Sequence, residues 1–85
     1  MTGRENDLLD EIYFIQSFIN LAASLGWKDD IVLETLKSLH AKGWIRCYKT
    51  PSEEVTSEDI DLESNFKEYY YLASKKGLFA HNSTE

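Results

Sequence analysis

The chain has 85 residues, with nine Lys and Arg against fifteen Asp and Glu, a net charge of -6, and 42% hydrophobic and 13% aromatic residues. A chain of this length holds one core and buries roughly 60–65% of its extended surface, and its apolar content is too high for a disordered polymer. No apolar run approaches the ~20 residues that span a bilayer, the N-terminus lacks the apolar stretch of a signal peptide, and the lone Cys47 excludes an internal disulfide. The expectation is a small acidic cytoplasmic domain with no membrane partner.

Residues 1–6 read as a disordered tail ahead of a single domain over residues 7–80. Asp7 can cap a helix, Asp10 and Glu11 suit the positive end of its dipole, and Leu8, Ile12, Ile15, Ile19 and Ala22 follow at helical spacing. Phe14, Phe18, Leu21 and Leu25 form a second stripe beside the first, which predicts a segment buried on more than one side. The sequence allows one helix over residues 7–25 or two, the second capped by Ser17.

Gly26 reads as a C-cap, Trp27 as an apolar anchor, and the next helix runs from about Asp29 to Lys42 on the stripe Ile31, Val32, Leu36 and Leu39, with Leu33 and His40 at its margin. Gly43 ends it. Trp44 to Tyr48 alternates as a strand does, and Thr50-Pro51-Ser52 breaks the strand. Residues 50–67 carry Glu53, Glu54, Glu58, Asp59, Asp61 and Glu63 against Lys67 alone and predict a solvated loop. Residues 68–72 then form a return strand paired with residues 44–48, a short helix covers about residues 73–80, and residues 81–85 read as a C-terminal tail.

Ala22, Gly26 and Val32 stand at helix-turn-helix spacing: a small residue where helices cross, a glycine in the turn, and a branched residue on the second helix. Leu36, Leu39 and Lys42-Gly43-Trp44-Ile45 follow as the end of a recognition helix and the start of a wing, and Tyr71 to Leu78 as the second wing strand turning into a closing helix. Over residues 7–80 the chain resembles the winged helix-turn-helix family. The resemblance implies an α+β fold, mainly helical, with about three helices, a β-hairpin wing whose loop covers residues 50–67, and a short C-terminal helix.

The resemblance also implies DNA binding through the helix over residues 29–42, with Lys37, Lys42, Arg46 and Lys49 as the candidate phosphate contacts and Lys75 and Lys76 as further cations. The charges run the other way. Asp29, Asp30 and Glu34 occupy the exposed side of that helix, and six acids occupy the wing, where the family usually carries Lys or Arg. The reading preferred from charge is a non-enzymatic module that binds a protein partner or a second copy of itself. A DNA-binding transcriptional regulator is the alternative.

Catalytic and cofactor chemistry lack their motifs: there is no nucleophile elbow and no glycine-rich phosphate loop. His40, Cys47 and His81 have no metal-ligand spacing, and the calcium-like run from Asp59 fails at Ser64 and Tyr70, so no metal or cofactor is expected. Strand alternation sends Tyr70 to the face opposite Tyr69 and Tyr71. Tyr48, Phe66 and Tyr70 are therefore the candidate protein interface, and the wide apolar arc over residues 8–25 suits a core completed by a second copy.

Overall fold

The computed structural model of the chain describes residues 3–82. It is a small α+β structure in the order α1 (Gly3–Glu11), β1 (Gln16–Ser17), α2 (Phe18–Leu25), α3 (Asp29–Ala41), β2 (Ile45–Thr50), β3 (Glu53–Val55), a 3-10 turn (Ser57–Asp59), α4 (Leu62–Asn65), β4 (Tyr70–Ala73) and α5 (Lys75–Asn82). The four strands form one antiparallel sheet in the order β1-β4-β2-β3. No helix among the described residues is long and apolar enough to cross a membrane.

Residues 7–25 form two helices. Ser17 is extended and its hydroxyl accepts a hydrogen bond from the Asn20 amide, which starts α2, while Gly26 closes that helix at φ 67 with its amide on the Ala22 carbonyl. The break after Glu11 resets the helical phase. Leu8, Leu9, Ile12, Phe18 and Leu21 enter the core, but Phe14 is 80% and Ile19 74% exposed, against the expectation that both stripes are buried.

The two ends differ from the sequence reading. α1 begins at Gly3, so residues 3–6 belong to a helix in place of a tail, and Glu5 is buried. α5 runs to Asn82, past the boundary set at residue 80. Residues 1–2 and 83–85 of the two expected tails lie outside the described residues.

Helix α3 buries Val32, Thr35, Leu36 and Leu39 and ends before Gly43, whose φ of 73 turns the chain into β2. β2 and β4 pair from Ile45 with Ala73 to Tyr48 with Tyr70. Ile45, Cys47, Tyr71 and Ala73 face the helices and are buried. On the other face one row crosses all four strands: Glu54, Tyr48, Tyr70 and Ser17.

Residues 50–67 are folded rather than a solvated loop. β3 extends the sheet beside β2, and Asp61 caps α4 by accepting from the Ser64 amide. Leu62 is buried, and the Phe66 ring packs edge-on to Phe18 at 5.0 Å. The Asp61 amide donates to the Tyr69 hydroxyl at 3.0 Å, and the Tyr71 hydroxyl donates to the Phe66 carbonyl at 2.7 Å. Apolar burial and buried-tyrosine hydrogen bonds hold this acidic segment against α2, α3 and β4.

Candidate functional site

The four cations singled out as phosphate contacts do not share one open face. Lys37 on α3 is bound by Glu63 of α4. Lys42, just past α3, reaches Glu5 of α1 at 2.7 Å and lies 4.7 Å over the Trp44 ring. Arg46 on β2 pairs with Glu54 of β3 at 3.6 Å, and Lys49 lines an open groove of about 630 Å³ with Glu53, Glu54, Asp59 and Glu68. A fourth ion pair, Lys67 with Asp29 at 3.3 Å, ties the acidic segment to the first turn of α3.

The solvent stripe of α3 consists of Asp30, Glu34, Lys37 and Ala41, spaced at helical intervals of four and three. Its only cation is the one held by Glu63. A helix placed in a major groove presents its outward stripe to base edges and its ends to phosphates. Here the outward stripe and the first turn carry Asp29, Asp30 and Glu34.

Arg46, Lys75 and Lys76 line a second groove of about 400 Å³ at the start of α5, together with Glu54, the partner of Arg46. Ser74 shapes that end. Its hydroxyl donates to the Gly43 carbonyl at 2.7 Å and accepts from the Gly77 amide at 3.0 Å. His40 and Cys47 line the same groove, and the His40 Nε2 atom is buried with no hydrogen-bond partner among the described residues. Burial, with Glu54 second, pushes the Cys47 thiol up to about 12, so it is protonated and a poor nucleophile at neutral pH. Among the described residues, no three or more His, Cys, Asp or Glu side chains are placed to hold a metal ion.

The three aromatic candidates separate. Tyr48 and Tyr70 are cross-strand partners on the outer sheet face, both half-buried. Phe66 lies in the folded segment against Phe18 and belongs to the core margin, because α4 turns its apolar side inward. The sequence reading missed the most exposed apolar side chains, Phe14 and Ile19, which flank β1 at the edge of the sheet. Their signal lay in the sequence: from Ile12 to Trp27, sixteen consecutive residues carry no charge in a chain that is 28% charged.

Comparison with family models, with curated proteins and with solved structures finds no significant match to this chain.

Proposed function

We propose that the chain is a small non-enzymatic winged-helix module that works by binding protein surfaces, and that it acts in the cytoplasm, where its one buried thiol suits the reducing conditions. The order α1-β1-α2-α3-β2, followed after β3 and α4 by β4, which lies between β1 and β2 in the sheet, supports the winged-helix assignment. One observation carries the choice of protein over DNA: Lys37, Lys42 and Arg46 each close on a carboxylate of the same chain. A cation already paired with a carboxylate displaces few counterions when it meets a phosphate, so the electrostatic term that dominates duplex affinity is small.

The test is a fluorescence-anisotropy titration with generic duplex DNA at about 50 mM and about 200 mM salt. The expected result is no saturable binding at either salt. Binding at low salt that collapses steeply at high salt overturns the reading.

Lys75 and Lys76, side by side on the second groove, favour the second reading, a DNA-binding regulator that touches phosphates with the start of α5. That reading requires the low-salt binding just described and its loss in Lys75→Glu/Lys76→Glu.

A further inference from the structure

We propose that the open edge of β1 is a homodimer interface, at which two copies pair antiparallel and bury Phe14 of each against Ile19 of the other. The proposal rests on the reading of the chain as a protein-binding module and names both the surface and its occupant.

β1 is the edge strand of the sheet, paired with β4 on one side and with no strand on the other among the described residues. Open strand edges are templates for another strand unless charge, proline or a covering element blocks them. The opposite edge, β3, is blocked by Glu53 and Glu54, whereas β1 carries only Gln16 and Ser17. It is flanked by Phe14, 80% exposed, and Ile19, 74% exposed.

The occupant follows from charge and symmetry. A chain of net charge -6 repels its own copies over most of its surface, and the uncharged run Ile12 to Trp27 is where that repulsion is weakest. Antiparallel pairing about a two-fold axis between Gln16 and Ser17 sets Gln16 opposite Ser17 of the second copy. Phe14 lies in the bend just before β1 and Ile19 in the first turn of α2 just after it, so antiparallel pairing brings the Phe14 end of each copy to the Ile19 end of the other, and the axis makes that contact twice. The pairing closes on itself, because each copy offers a single uncharged edge. Tyr70 of β4, the cross-strand partner of Ser17, extends the contact toward Tyr48 on the outer sheet face.

Sedimentation velocity over about 10 μM to 1 mM protein tests this, read beside the duplex titration. The expected species has twice the 9.8 kDa chain mass. Phe14→Lys and Ile19→Glu, both at exposed positions, should leave circular dichroism and thermal midpoint unchanged in the monomer. Each should weaken dimerisation about a hundredfold or more, because a single substitution enters a symmetric interface twice. Mixing the two variants should restore a heterodimer, with Lys against Glu at one contact and Phe against Ile at the other. Wild-type protein that stays monomeric at about 1 mM overturns the proposal, as does a dimer that survives both substitutions or a mixture that stays monomeric. A monomer that also ignores DNA removes the dimer and leaves the protein-binding reading standing, whereas salt-sensitive DNA binding removes that reading.

Discussion

The Glu5 carboxylate lies 2% exposed beneath the end of α3, 2.7 Å from the Lys42 ammonium, and the Ser38 hydroxyl donates to it at 2.8 Å. This pair fastens the N-terminal helix to the last turn of α3 across 37 residues of sequence. Its two members are not equivalent, because the Lys42 side chain remains 39% exposed and can be solvated when Glu5 is changed. A buried carboxylate that loses this cation gives up charge compensation that water does not replace, although the Ser38 hydroxyl still donates to it.

Lys42→Met should therefore destabilise the fold by about 2–3 kcal/mol and Glu5→Gln by about 1 kcal/mol. Urea denaturation of the two single variants and the double variant measures both costs and their coupling. The double variant should cost less than the sum. Removing residues 1–6, the segment whose sequence reads as a tail, should cost more than Lys42→Met, because it takes the first turn of α1 with it.

Within the acidic segment, the stretch around α4 is held by burial more than by its ion pairs. Glu63 and Lys37 are 69% and 45% exposed, and such surface pairs contribute about 0–1 kcal/mol. Leu62 is buried in the main core. Leu62→Ala should cost about 2–3 kcal/mol, and Glu63→Ala about 0.5 kcal/mol or less. If Glu63→Ala proves the more costly in thermal denaturation, charge holds the segment and this ranking is wrong.

Local chemistry was the legible part of the sequence. Ser17, Gly26 and Gly43 acted as cap, left-handed closure and left-handed turn, and the alternation of Tyr69, Tyr70 and Tyr71 sorted buried rings from the half-buried one. Glu5 failed as a signal because its burial depends on Ser38 and Lys42, which no local pattern connects to it. The acidic segment reads as a solvated loop because its charge outweighs a short apolar pattern, Leu62 and Phe66 one helical turn apart behind the capping Asp61. At the candidate site the cations were visible but their carboxylate partners were not, since Glu5, Glu54 and Glu63 reach them through tertiary packing. Phe14 and Ile19 fall on core stripes only where helical periodicity runs unbroken through residues 12–17, and the break there resets it.

Gly77 is confined by its surroundings rather than by its dihedral angles. A Cβ there would run into the Trp44 carbonyl, on the side where α5 crosses the start of β2. The Ser74 amide donates to that same carbonyl at 2.9 Å, so it has little room to move. Gly77→Ala should displace α5 and cost about 2 kcal/mol or more. Gly26→Ala, in open space but at φ 67, should cost about 1 kcal/mol, set by backbone strain alone. Amide hydrogen exchange separates the two, with protection lost across α5 in the first variant and only around the α2 C-terminus in the second.

Cys47 and Tyr71 face each other across β2 and β4, and burial is the largest cause of the upward shift in both groups. The Cys47 thiol moves from about 9 to about 12, and the Tyr71 hydroxyl, which donates to the Phe66 carbonyl, is held well above the usual phenol range. The folded state therefore keeps protons that the unfolded chain releases. Stability from this pair is fully present below about pH 9 and falls as pH rises toward 12, because over that interval the unfolded state binds fewer protons. Urea midpoints measured between pH 7 and pH 11 should be level to about pH 9 and then decline, and Cys47→Ala should flatten the decline. Native protein should resist a thiol reagent at pH 8 and react fully once denatured, since buried thiol rather than exposed thiolate is what the reagent meets. A midpoint that rises above pH 9 contradicts the sign of both shifts.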